Sequence, residues 1–124
     1  MSPTMQQQEL RLMGRLDGPS VVPPQYMTGL PSGRTGYRAA CRLAWQIKRV
    51  KKATHAQLAA ECDLYASHVS DYLHPDDGNK RRDLPAHAVH AFNAFVGNTL
   101  LSQWMAMHDG LTVAEELTAS KLAA

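Results

Sequence analysis

The chain has 124 residues, a net charge of +2, 44% apolar residues and only 6% aromatic ones. That composition supports one small domain with a real core and argues against full disorder; a core short of aromatics is built from Ala, Leu, Val and Met, which suits helices. No apolar run approaches a membrane span, and no charged segment followed by an apolar stretch marks a secretory signal. Cys41 and Cys62 lack metal-type spacing, so the sequence reads as a cytoplasmic protein with two reduced thiols.

Taken in order, residues 1–33 read as a partly irregular N-terminal arm. Pro3 and Thr4 open a short helix over Met5–Leu16, with Leu12 and Leu16 on one face. Proline and glycine then crowd the chain from Asp17 to Gly36, too densely for a helix and with little for a strand to use. Such an arm is either disordered, packed on a partner subunit, or laid along a nucleic-acid groove. Arg11, Arg15 and Arg34 are its only charges for the last role, which favours packing or disorder.

The first helix of the domain proper (residues 34–110) is expected from Gly36 to Val50. Ala40, Leu43, Ala44, Ile47 and Val50 recur at steps of three and four, one apolar stripe. Trp45 lies off its centre and is expected to cover the arm, while Arg42, Lys48 and Arg49 point away.

Two short helices joined by a tight turn follow, over Thr54–Leu73. Thr54 and Gln57 form a capping box that starts the first. That helix is expected to bury Leu58 and Ala59, and the second to bury Val69, Tyr72 and Leu73, with Leu64 plugging the corner. Cys62 and Asp63 fall at the bend, where the backbone needs a left-handed residue; Asp tolerates that conformation better than most. With Gln57-Leu58-Ala59, an apolar Leu64 after the turn and Val69-Ser70 in the second helix, the stretch resembles the helix-turn-helix of the lambda-repressor/Cro-like family of phage and bacterial regulators. Asp63 stands where that family usually has Gly. The resemblance implies an all-α fold, a compact bundle of about five helices containing the helix-turn-helix. It also implies a ligand, double-stranded DNA, and a homodimer or higher homo-oligomer.

Charge is distributed unevenly around this stretch. Arg34 to Lys52 holds seven basic residues and no acidic one; Ala53 to Asn79 holds five acidic residues and no Lys or Arg; Lys80-Arg81-Arg82 follows. A basic run is ordinarily a solvated face. Beside a helix that enters a groove, it also suits the phosphate backbone. On that reading Lys48, Arg49, Lys51, Lys52 and His55 contact phosphate from one flank, and Lys80, Arg81 and Arg82 grip it from the other, with His68 at the helix edge. The face left to read bases is Tyr65, Ala66, Ser67, Ser70 and Asp71. The serines donate or accept, Ala66 suits a thymine methyl, and Asp71 accepts from a cytosine amine but repels phosphate. This face has no Arg to read guanine and no Asn or Gln to read adenine.

Pro75 and Asp77-Gly78 mark turns in the polar loop 74–83. Asp83 is expected to cap a fourth helix with Pro85 in its first turn, Leu84, Ala88, Phe92 and Phe95 on one face, and Gly97 as its stop. His87 and His90 lie three apart, but no Cys, Asp or Glu completes a metal site, and a surface pair is the better reading. Asn98 caps a fifth helix from Thr99 to His108, lined by Leu101, Trp104, Met105 and His108. Thr112 to Glu115 is a second capping box, opening a last helix to about Leu122 in a C-terminal segment, 111–124, suited to oligomerisation. Trp104, Met105 and Met107 serve either the chain's own core or a dimer interface.

No catalytic constellation is visible. The cysteines have no base partner, Ser67 and Ser70 beside His68 lack a third orienting group, and there is no phosphate-binding glycine motif. The chain is therefore not expected to be an enzyme or to carry a cofactor. The preferred reading is a sequence-specific, double-stranded DNA-binding transcriptional regulator, of phage or prophage type by its resemblance. The alternative is a protein-interaction module, an antagonist or adaptor of another regulator, whose acidic third helix meets a basic partner.

Overall fold

The structure is a computed structural model that describes residues 18–109. It contains five α-helices: α1 (Gly33–Gln46), α2 (His55–Cys62), α3 (Ala66–Tyr72), α4 (Val89–Val96) and α5 (Leu100–His108). Single 3-10 turns at Pro24–Tyr26 and Ala86–Ala88 precede α1 and α4. Among the described residues there is no β-strand, only one parallel bridge between Ser20 and Asn98. The helices expected over Met5–Leu16 and from Thr112 lie outside the described residues.

α1 packs along α5, α2 packs on α3 and α4, and α4 leans on α5. The core between them is small and tight. Ala40, Cys41 and Ala44 of α1 meet Leu58, Val69, Phe92, Val96, Leu100 and Leu101, all buried. Small α1 residues let the other helices approach, and the aliphatic side chains fill the space so made. Trp104 is buried against the edge of Tyr37, with ring centroids 6.3 Å apart. Gly36 is required at this crossing: a Cβ there would stand 1.9 Å from the Pro31 carbonyl oxygen and 2.5 Å from Trp104.

Residues 18–32 form part of this core. Val22 and Met27 are buried, and the Gln103 amide holds the Val22 backbone at both ends, accepting from its N–H at 2.9 Å and donating to its carbonyl at 2.9 Å. The expected irregularity is present, and Val22 and Met27 are buried within the chain, while Val21 and Tyr26 are exposed.

The α1 boundary differs from the expected end at Val50. The helix ends at Gln46, and Val50 is 60% exposed. The reason lies at Arg49. Its backbone N–H donates to Val96 O at 2.8 Å, and its guanidinium donates to the carbonyls of Gly18 and Gly97. Those bonds draw the chain away from α1 and satisfy carbonyls at the end of α4.

α4 also starts later than expected. Asp83 does not cap it, because its carboxylate accepts from Arg34 Nε at 2.8 Å and from Arg38 Nη1 at 3.1 Å. Pro85 is extended (ψ 143°) and leads into the 3-10 turn, so α4 begins at Val89. Its stop is as expected: Gly97 is left-handed at φ 79°. α5 starts one residue later than expected, at Leu100, with Thr99 rather than Asn98 at its N-cap and no side-chain capping bond from it; Asn98, one residue before the cap, accepts from the Leu100 N–H at 3.1 Å.

Candidate nucleic-acid interface

α2 begins where its sequence says it should. The Gln57 N–H donates to the Thr54 hydroxyl at 3.2 Å, and the Thr54 N–H donates to the Gln57 side-chain oxygen at 2.9 Å. It ends at Asp63, which is left-handed (φ 55°, ψ 50°), the single positive-φ non-glycine among the described residues. That turn sends the chain into α3 after Leu64 packs against the core.

α3 is only seven residues long, and burial divides it cleanly. Val69 and Tyr72 point into the core. Ala66, Ser67 and Ser70 are exposed, and Tyr65, immediately before the helix, is 74% exposed with its ring 5.0 Å from that of His68. His68 is half-buried. The outer surface is thus a small uncharged strip of hydroxyls and one methyl.

Asp71, placed on this reading face by the sequence, is otherwise engaged. It accepts from Arg81 Nη1 at 3.1 Å and from Arg82 Nη1 at 2.9 Å. The hydrogen bond from Arg81, reinforced by that from Arg82, holds its carboxyl below the usual carboxylate range despite desolvation. The carboxylate therefore stays ionised with two cations on it, and α3 is not acidic in net effect.

The loop that carries Arg81 and Arg82 is fixed by three arginines of α1, spaced four apart. Arg34 donates to the carbonyls of Asp77, Gly78 and Arg81 and to the Asp83 carboxylate. Arg38 is 1% exposed, and every N–H of its guanidinium is used: Nε donates to Asp77, Nη1 to Arg82 O and Asp83, and Nη2 to the carbonyls of Asp71 and His74. Arg42 donates to Asp77 at 2.8 Å and to His74 O at 3.0 Å. The helical period places Arg42 away from the core, in solvent; instead it is half-buried against this loop, because Asp77 accepts from it. Asp77 is in turn held below the ordinary carboxylate range, first by Arg42 and then by Arg38. Sequence reasoning counts these arginines as a basic cluster and misses their role. The signal present was the four-residue spacing of Arg34, Arg38 and Arg42 together with Asp76, Asp77 and Asp83 later in the chain.

Further basic side chains lie before and at the start of α2. Lys51, Lys52 and His55 are exposed. Lys48 Nζ lies 4.4 Å from the centre of the Trp45 ring. Trp45, expected to cover the N-terminal arm, stacks on Phe95 at 6.3 Å and meets the His55 ring edge-on at 5.3 Å; most of that arm lies outside the described residues. Arg49 serves the backbone contacts described above. Lys80 is exposed at the tip of the loop, and Glu61 and Asp63 are exposed acids of the α2–α3 corner.

Other chemistries find little support among the described residues. No group of three or more His, Cys, Asp or Glu is placed to hold a metal. Burial pushes the Cys41 thiol up to about 12 and the Cys62 thiol up to about 11, so neither supplies a thiolate at neutral pH. No described helix is long and apolar enough to cross a membrane. Trp104 and Met105 pack in the core, while Met107 is 45% exposed. Comparison with protein-family models, with curated proteins and with solved structures finds no match to this chain.

Proposed function

We propose that α2, the left-handed turn at Asp63 and α3 act as a helix-turn-helix, and that the protein is a sequence-specific regulator of transcription that binds double-stranded DNA as a dimer. The observation that carries this reading is the α3 surface. Its exposed side chains are Tyr65, Ala66, Ser67 and Ser70, none of them charged, and its one carboxylate is neutralised by Arg81 and Arg82. A short helix with an uncharged hydrogen-bonding face and cations at its margins suits a major groove, where base edges are read between two phosphate walls.

Roles divide accordingly. Lys51, Lys52 and His55 on one flank, and Arg81 and Arg82 on the other, supply phosphate contacts that hold the protein in place without reading sequence. Ser67 and Ser70 supply hydroxyls to base edges, and Ala66 meets a thymine methyl. With no Arg, Asn or Gln on this strip, the preferred site rests on hydroxyl contacts and apolar fit. The competing protein-interaction reading looks chiefly to an acidic α3; the pairing of Asp71 with Arg81 and Arg82 favours the DNA reading over it.

The test is binding of the full chain to duplex DNA across a salt range. Lys51→Gln with Lys52→Gln is expected to weaken binding to every duplex alike and to flatten the salt slope by roughly 0.9 for each phosphate that is no longer neutralised. Ser67→Ala and Ser70→Ala are expected to change which duplex is preferred. Unchanged binding in both sets of variants overturns the proposal.

A further inference from the structure

We infer that Asp71 is a positioning residue for DNA binding: it holds Arg81 and Arg82 as a preformed pair of guanidinium groups for the phosphate backbone at the margin of α3. The inference rests on the DNA-binding reading above and assigns a carboxylate a favourable part in binding a polyanion.

Three observations carry it. First, Asp71 follows Ser67 by one helical turn, so cations on its carboxylate stand beside the proposed reading strip. Second, each arginine gives Asp71 only one terminal nitrogen, Arg81 at 3.1 Å and Arg82 at 2.9 Å, while their side chains remain 33% and 55% exposed. A guanidinium has five N–H donors; Arg81 Nε also lies 3.7 Å from Asp76 Oδ2, which leaves the rest of its fork, and most of that of Arg82, open to a phosphate. Third, the backbone is held at the same two residues: Arg81 O accepts from Arg34 Nη2 at 2.8 Å, and Arg82 O accepts from Arg38 Nη1. Fixed carbonyls behind and a fixed carboxylate in front leave these long side chains less rotamer freedom to lose when phosphate arrives. Asp71, at 14% side-chain exposure, is itself shielded from the ligand by the two cations it holds.

The consequence runs against simple charge counting. Removing a negative charge from a surface that binds DNA ordinarily strengthens binding. Here Asp71→Asn is expected to weaken it, because both arginines lose their common anchor.

The experiment is a salt titration of the full chain against a labelled mixed-sequence duplex, comparing wild type, Asp71→Asn, Asp71→Glu, Arg81→Gln with Arg82→Gln, and that double variant combined with Asp71→Asn. Asp71→Asn is expected to bind about fivefold more weakly, and Asp71→Glu to recover part of the loss. In the double arginine variant, Asp71→Asn is expected to cause no further loss. A merely structural role for Asp71 would persist in that background, and a loss of equal size there overturns the inference. Asp71→Asn binding as tightly as wild type, or tighter, overturns it while leaving DNA binding intact. A wild-type chain that does not bind the duplex at any salt overturns both.

Discussion

Arg38 Nε donates to Asp77 Oδ1 at 2.8 Å, joining the middle of α1 to a loop thirty-nine residues later in the chain. The same guanidinium holds the carbonyls of Asp71 and His74 at the end of α3. One buried side chain therefore sets the position of α3's last turn and of the loop that carries Arg81 and Arg82.

Arg38→Met is expected to destabilise the protein by roughly 3 kcal/mol, because it leaves several half-buried acceptors without their donor. Arg38→Lys is expected to restore little, since an ammonium cannot span acceptors spread around a planar fork. Urea denaturation measures both. A loss below about 1 kcal/mol for the methionine variant contradicts the assigned role.

Acid is expected to weaken the same junction. Asp77 and Asp71 are held below the ordinary carboxylate value in the folded state. Their stabilising contribution is therefore complete above the unfolded value of about 4 and is lost as pH falls through the lower folded values. Asp77→Asn is expected to lower the urea midpoint at pH 7 and to flatten its fall between about pH 5 and pH 2. A parallel, unflattened acid limb in that variant contradicts the pairing.

Gly36→Ala is expected to cost about 2 kcal/mol or more, since the added methyl collides with the Pro31 carbonyl and the Trp104 ring. Its backbone is otherwise ordinary helix, so the loss measures the closeness of α1, α5 and the segment before them. A melting temperature equal to wild type shows that the crossing is looser than described.

Asp63 supplies a test of the turn. At φ 55° a β-branched residue is strained, and Asp63→Val is expected to cost about 1–2 kcal/mol. Asp63→Gly is expected to be tolerated or slightly stabilising, since glycine carries no such penalty. The two thermal melts should fall on opposite sides of wild type or nearly so; equal destabilisation contradicts the left-handed geometry.

Features set by neighbouring residues were legible in the sequence. The Thr54–Gln57 cap, the left-handed Asp63 and the burial of Leu58, Ala59, Val69 and Tyr72 all follow from local propensity and helical periodicity. Features set by distant partners were not. The basic residues from Arg34 to Lys52 are present as counted, but Arg34, Arg38 and Arg42 spend their charge on Asp77 and Asp83 and on loop carbonyls. Composition shows which charges exist and leaves open which of them are already paired. The early end of α1 has the same cause, since Arg49 follows the carbonyls of Gly18, Val96 and Gly97. Trp45 was not legible because its neighbours, His55 and Phe95, come from two later helices. For the candidate interface, the exposed strip from Tyr65 to Ser70 was readable from the helical period, whereas the pairing of Asp71 with Arg81 and Arg82 requires the loop to fold back.

The measurement that bears most directly on function is selection of bound duplexes from a random DNA pool by the full chain, at low and at physiological salt. A dimeric groove reader is expected to select a palindromic consensus, with half-sites about one helical turn apart, that persists at the higher salt. No enrichment at either salt, or enrichment without a consensus that vanishes as salt rises, contradicts that role.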